Sequence, residues 1–326
     1  MKMKGSLRII IALALALCLA LGASCASGGA GASGASQAAA PVRQSVAEYS
    51  WAELSTIADE VAQAPDDPTR RETVKRYHLV NDEGRLDGTQ AKPVQLADGT
   101  QTSAVVVGFA RDDVTGGGAA GITFMFADAV AWLPMNNDGG AKDAADTVPL
   151  NVYGGWNGCE VRAWLNGPFA AQLPTSLQAV MQSVDKTSVA VTPTDAGDTL
   201  IYDDGGFVSG ARTLVETCSD RLWLPAFSEL FPMRTGDYLM NDSPEWAQLM
   251  ELEGIRYQLF VDQLVKADSE NGICQRSLVG SGEPCRWWLR TAGGGSFSEV
   301  LESGKARYDG ASPTGSAQGI VPCFAL

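Results

Sequence analysis

Histidine is almost absent: His78 is the only one in 326 residues. Hydrolysis by a Ser–His pair and histidine metal cages both need imidazoles that the chain lacks. His78 itself, beside Tyr77 and Leu79 in a helical stretch, reads as a surface or packing residue. No Cys-x-x-Cys occurs, which removes the usual zinc and thioredoxin signals. Gly116-Gly117-Gly118 and Gly293-Gly294-Gly295 are followed by no Gly-Lys-Ser/Thr, so they read as flexible turns, and no nucleotide partner is expected. No repeat of 20–50 residues is visible. Positive charge is scarce as well: 24 Lys and Arg stand against 38 Asp and Glu, a net charge of −14. Such a surface repels phosphate backbones, which argues against nucleic acid as a partner, and it gives no electrostatic hold on anionic lipid.

What the chain does have begins at its first residues. Lys2, Lys4 and Arg8 precede an apolar run from Ile9 to about Leu21, a positive n-region and an h-region of secretory length. A spanning helix needs about 20 apolar residues, and Gly22 and Ser24 end this run early. Residues 1–24 are therefore expected to be a signal peptide. Leu21-Gly22-Ala23-Ser24-Cys25 resembles a lipobox, with Gly22 standing where Leu, Val or Ile is usual. Cys25 is the expected lipidation site, and lipid there is the expected membrane contact. Ordinary cleavage nearby, giving a secreted protein, is the alternative. Residues 25–45, rich in Ser, Gly and Ala, read as a flexible tether. Losing Lys2, Lys4 and Arg8 would take the net charge from −14 to −17.

Residues 46–326 read as a single globular domain, with 45% hydrophobic residues in the chain to supply a core. Ser50-Trp51-Ala52-Glu53 is a capping box opening a helix whose apolar stripe is Trp51, Leu54, Ile57, Ala58 and Val61. Asp67-Pro68 starts a second helix, with Asp67 as N-cap, ending near Tyr77. Pro93–Leu96 and Ala104–Phe109, joined through Asp98-Gly99, form a hairpin. Strands are expected at Ile122–Phe126, Val184–Val191, Leu222–Pro225, Trp287–Arg290, Phe297–Leu301 and Gly319–Leu326. Helices are expected from Trp156 and over Pro174–Met181. A polar loop fills 136–155. Helices and strands mix without a βαβ rhythm, so the expected class is α+β: an N-terminal helical pair and β-hairpin (46–135) leading into a mixed, largely antiparallel-sheet domain (150–326).

Several stretches occur together in order: Leu86-Asp87-Gly88-Thr89-Gln90, Gly121-Ile122-Thr123-Phe124, Gly154-Gly155-Trp156, Arg162-Ala163-Trp164-Leu165-Asn166, Leu173-Pro174, Val184-Asp185-Lys186, Leu222-Trp223-Leu224-Pro225, Trp287-Trp288-Leu289-Arg290 and Val321-Pro322-Cys323-Phe324. This set resembles a family of uncharacterised bacterial surface proteins built on a domain of unknown function. More distantly, the Trp-Leu-Arg strand and the closing strand are similar to the C-type-lectin-like fold of formylglycine-generating enzymes, although the Arg of that ending is replaced by Val321. The resemblance implies a surface location and brings no catalytic residues with it.

Five cysteines lie beyond the leader: Cys159, Cys218, Cys274, Cys285 and Cys323. Cys274 and Cys285 flank a Gly-rich turn and are the favoured disulfide; the same pair could hold copper in an oxidase, a weaker reading. Trp132, Trp156 and Trp246 border loops and are the candidate ligand-binding residues, whereas Trp164, Trp223, Trp287 and Trp288 sit in apolar segments and belong to the core. Asn136-Asn137-Asp138-Gly139-Gly140 and Asp203-Asp204-Gly205-Gly206 offer oxygen ligands to calcium but lack EF-hand spacing and read as solvated turns. No cofactor is expected. The expected function is that of a non-enzymatic binding or adhesion domain for glycan or protein. The alternatives are an extracellular enzyme related to formylglycine-generating oxidases or carbohydrate-active proteins, and a purely structural envelope protein.

Overall fold

Ser50 fixes the start of the first helix. In the computed structural model, which describes residues 39–137, 155–193, 201–203, 206–208, 211–233, 244–292, 297–307 and 316–326, Ser50 Oγ accepts the Glu53 amide at 3.1 Å. The Ser50 amide in turn donates to Glu53 Oε2 at 2.7 Å. Helix α1 (Trp51–Ala62) buries the expected stripe of Trp51, Leu54, Ile57, Ala58 and Val61. It lies so close to the sheet that a Cβ at Gly121 would stand 1.9 Å from the Ala58 carbonyl oxygen. Helix α2 (Asp67–Arg76) is capped by Asp66, not Asp67. The Asp66 side chain, on extended backbone, reaches the Thr69 amide at 2.8 Å, which draws Asp67 into the first turn. Tyr77 Oη donates to Glu60 Oε2 at 2.8 Å and ties the two helices together.

The strands are β1 (Ala91–Gln95), β2 (Gln101–Phe109), β3 (Asp113–Val114), β4 (Ile122–Phe126), β5 (Ala131–Leu133), β6 (Val184–Pro193), β7 (Ile201–Asp203), β8 (Gly206–Val208), β9 (Ala211–Asp220), β10 (Arg276–Ser277), β11 (Pro284–Cys285), β12 (Trp287–Ala292), β13 (Phe297–Val300), β14 (Ala306–Arg307), β15 (Gln318–Ile320) and β16 (Cys323–Ala325). They form sheets ordered β1-β2-β4-β16, β14-β13-β12-β15-β5 and β3-β6-β9, with β7-β8 and β10-β11 as two-stranded pairs. Among the described residues, the paired strands run antiparallel except β12 with β15, which run parallel at Trp287↔Gly319. The class is α+β, as expected. The β1–β2 hairpin turns through Asp98-Gly99, where Gly99 takes φ +89°, a left-handed value at which glycine pays no steric penalty.

Two strand expectations are corrected. The closing segment is not one strand but two. Pro322 has no N–H to give a ladder, and the chain leaves the five-stranded sheet after β15 and joins the four-stranded sheet as β16. Its carboxyl end thus stitches two sheets together, β16 pairing with β4 through Phe324↔Phe124. Leu222–Pro225 is not a strand either: Trp223 makes a single bridge to Cys323, and Pro225 cannot extend it. The helix expected over Pro174–Met181 is confined to Thr175–Gln178.

The core is aromatic where α1 meets β4 and β16. Phe124 stacks on Phe324 with ring centroids 5.2 Å apart, and Trp51 stands edge-on to both, the offset and T-shaped geometries that ring quadrupoles favour. Trp223, Trp287 and Trp288 are fully buried, as their apolar settings indicate. The expected signal peptide, Cys25, most of the expected tether, the greater part of the 136–155 stretch and Gly293-Gly294-Gly295 lie outside the described residues. Among the described residues no helix is long and apolar enough to cross a membrane.

Candidate functional site

Two short stretches of backbone each present one side chain inward and its neighbour outward. After β2 ends at Phe109, Ala110 adopts a left-handed φ of +50°, a conformation that costs a non-glycine residue about 1–2 kcal/mol. The chain then buries Asp112 while Arg111 stays exposed. Tyr257, which caps the helix Gln258–Asp262, is likewise buried, and Gln258 faces outward. The inward pair, Asp112 and Tyr257, meets a buried ionic network. The outward pair, Arg111 and Gln258, lines a cleft.

In the network, Lys186 Nζ donates to Asp112 Oδ1 at 2.6 Å and to Glu229 Oε1 at 2.5 Å. Arg290 grips Glu229 with two bonds, Nη1 to Oε2 at 2.7 Å and Nη2 to Oε1 at 3.2 Å. Tyr257 Oη donates to Asp112 Oδ1 at 3.0 Å, and Trp223 Nε1 to Tyr257 Oη at 3.2 Å. Thr123 caps Asp112, and the Ala226 amide donates to Glu229 Oε2 at 2.7 Å. All of these side chains are buried, so each charge survives only because its partners are in place. Burial works to neutralise Glu229, yet Arg290 and Lys186 hold its carboxyl below the usual range. Burial likewise works against the charge of Lys186, and Asp112 and Glu229 override it, raising the ammonium's pKa. Glu253 lies alongside, taking the Val189 amide at 2.9 Å and the Thr291 hydroxyl. Burial pushes its carboxyl up to about 7, the field of Arg290 only partly opposing. The network fastens the segments around residues 112, 123, 186, 223, 229, 253, 257 and 290 into one block.

On the other side of Ala110 and Tyr257, α2, the end of β2 and the Gln258–Asp262 helix enclose a cleft of about 290 Å³. Among the described residues, three arginines line it, Arg70, Arg71 and Arg111, with Asp67 as the one carboxylate. Arg70 Nη1 pairs with Asp67, while Arg70 Nε is buried with no hydrogen-bond partner among the described residues. Arg111 Nη2 stands 3.5 Å from Gln258 Oε1, at the limit of a hydrogen bond. Val74, Val80 and Phe109 supply an apolar wall. Positive charge thus converges at one concavity of a chain whose net charge is −14.

The residues singled out by sequence fall elsewhere. Trp132 is 46% exposed on the edge strand β5. Its cross-strand partner is Gly319, so no side chain stands opposite it. Trp156, expected at a binding face, is fully buried. Its Nε1 donates at 2.8 Å to Asp220 Oδ2, whose other oxygen takes Arg162 Nε at 2.7 Å. It is a satisfied core residue, because a short helix turns the indole inward against β9. Trp246 lies in the helix Pro244–Glu251, and its side chain is outside the described set.

The expected Cys274–Cys285 bridge is not formed. Cys285 sits across β10–β11 from Arg276, not from Cys274, and both thiols are free. Burial pushes Cys274 up to about 12 and Cys285 up to about 11. Thiols that resist ionisation in this way make poor nucleophiles. Of the two runs considered for calcium, Asn136 accepts the Glu160 amide at 3.0 Å and the Asn137 amide donates to Glu160 Oε2 at 3.2 Å, and Asp203 and Gly206 pair across β7–β8; residues 138–140 and 204–205 lie outside the described residues. Among the described residues no group of three or more His, Cys, Asp or Glu could hold a metal ion.

The motif stretches find their physical reasons here. Thr123, Lys186, Trp223 and Arg290 are all network residues. Arg162 and Asn166 form a second clasp: Asn166 Oδ1 accepts the amides of Arg221 and Leu222, and its Nδ2 donates to the Leu222 carbonyl at 2.8 Å. Gly254 leaves room for Glu229, whose Oε1 would lie 2.5 Å from a Cβ there. A cation inside an apolar strand, as in Trp287-Trp288-Leu289-Arg290, was the one local signal of a buried ion pair. Arg70, Arg71 and Arg111 carried no such signal, since each resembles an ordinary surface residue.

No curated protein and no solved structure matches the chain. Residues 141–326 match a family model described as a domain of unknown function, DUF6273. That span holds Lys186, Glu229, Glu253, Tyr257 and Arg290, while Asp112 and the three cleft arginines lie upstream of it. With more than half its length inside the match, the chain belongs to the DUF6273 family.

Proposed function

We propose that this protein is a cell-surface lipoprotein, anchored through Cys25 to the outer face of the cytoplasmic membrane, whose globular part is a non-enzymatic binding domain. Its ligand, a glycan or a protein bearing anionic groups, sits in the arginine cleft. The cleft itself carries this reading: three arginines line one concavity, and Arg111 and Gln258 in its wall are sequence neighbours of Asp112 and Tyr257 in the ionic network. Ligand sites are concave, largely preformed and furnished with a few convergent polar groups. The likeness of β12 and the closing strands to lectin-like proteins belongs to the same proposal, as a scaffold that presents loops to a ligand.

Two experiments test it. Cys25→Ser is expected to move the protein from the membrane fraction to the medium, because covalent lipid is its hold on the bilayer; an unchanged membrane fraction would remove the anchor from the proposal. The intact mature protein is also expected to bind acidic ligands on glycan and protein arrays, and Arg111→Glu is expected to abolish that binding with the fold intact by circular dichroism. Array binding indifferent to Arg111→Glu would place the ligand elsewhere and overturn the assignment of the cleft.

A further inference from the structure

The cleft holds more than positive charge, and its other groups narrow the ligand. We infer that it receives a single uronate residue, a carboxylated pyranose, at the end of or along an acidic glycan. The inference rests on reading the cleft as the ligand seat. Each part of such a sugar has a counterpart there. The carboxylate can accept two parallel hydrogen bonds from the planar fork of an arginine. Arg111, exposed and lining the cleft, offers such a fork. The ring hydroxyls need acceptors as well as donors. Asp67, with its side chain 73% exposed, and the Gln258 amide provide them. The C–H face of the ring can rest on Phe109, beside Val74 and Val80.

Other anions use this set less fully. A free phosphate or sulfate would engage the arginines, but Asp67 would repel it and the apolar wall would stay idle. An acidic peptide side chain carries a carboxylate without hydroxyls for Asp67. At about 290 Å³, the cleft is at the lower bound for sites that enclose a drug-sized ligand. That limits it to one ring, with the rest of any chain outside.

The test is titration calorimetry on the full mature protein in detergent with four probes: glucuronate, glucose, inorganic phosphate and a hexaglutamate peptide. Glucuronate is expected to bind at least about tenfold tighter than each of the other three, since a tenfold ratio needs only about 1.4 kcal/mol and one charge-assisted bond supplies that much. Arg111→Lys, which keeps the charge and loses the fork, is expected to weaken glucuronate about tenfold, and Phe109→Ala to weaken glucuronate more than phosphate. Both variants should unfold at the wild-type denaturant midpoint to within experimental error for Arg111→Lys, and as a single cooperative transition for Phe109→Ala. Phosphate or hexaglutamate binding as tightly as glucuronate, with loss in Arg111→Lys, overturns the uronate assignment and leaves the cleft as an anion seat. Glucose binding as tightly as glucuronate overturns it too. Silence to all four probes, together with array binding untouched by Arg111→Glu, overturns both the uronate and the cleft.

Discussion

Glu229→Gln is expected to lower the unfolding free energy by about 3–5 kcal/mol, the usual result of removing one partner from a buried ion pair. The substitution preserves side-chain volume, so no cavity opens. What changes is charge. Glu229 is the shared anion of Lys186 and Arg290. Without it, Lys186 keeps Asp112, while Arg290 is left in the interior with an amide oxygen where it had a bidentate carboxylate. Set against the 5–15 kcal/mol of a whole domain, the loss is a large fraction, and the midpoint of a urea transition should fall with little change in slope. A double variant adding Lys186→Met restores equal numbers of buried charges and should recover part of the loss, which a double-mutant cycle would read as coupling. A fall of less than about 1 kcal/mol in Glu229→Gln would show that the network adds little beyond packing.

That variant also bears on the cleft. Asp112 and Tyr257 are neighbours in sequence of Arg111 and Gln258, so loosening the network should disturb the cleft at two of its lining residues. Binding by Glu229→Gln should therefore weaken even at temperatures where the variant is folded. The coupling follows from backbone continuity and needs no path of side chains between the two places.

Local features of this fold could be read from sequence because they depend on neighbours within a few residues. Ser50 and Glu53 bond each other across one turn, and the stripe from Trp51 to Val61 needs only helical spacing. The Asp98-Gly99 turn is equally local. The buried ionic network was hidden because it is assembled from afar. Lys186, Glu229 and Asp112 lie on separate elements, and nothing in any one of them names the other two. Trp156 shows the same limit from the other side. A tryptophan next to a Gly-rich loop suggested exposure, yet Asp220, 64 positions away, holds its indole nitrogen in the interior. The split of the closing segment into β15 and β16 was half legible, for Pro322 stood in plain view as a residue that cannot donate to a ladder.

Glu253 leads to the second large effect, a loss of stability as pH rises from about 5 to 7. Burial holds its carboxyl up to about 7 in the folded protein, against an ordinary value of 4.5. Below pH 4.5 both the folded and unfolded states carry the proton, and the group makes no difference. Between 4.5 and 7 the unfolded chain gives up its proton while the folded chain retains it, so rising pH favours unfolding. Above 7 both are ionised, and the penalty is complete at roughly 3 kcal/mol, since each pKa unit is worth about 1.4 kcal/mol. Burial is the main cause, with Glu229 adding repulsion and Arg290, which bonds the Glu253 carbonyl, opposing. Glu253→Gln keeps the hydrogen-bonding outline of the neutral acid at every pH. Urea midpoints measured from pH 4.5 to 8 should therefore fall more steeply in the wild type than in the variant. The gap between the two should widen up to pH 7 and then hold constant. Parallel curves across that window would mean that Glu253 is already ionised when folded, balanced by Arg290.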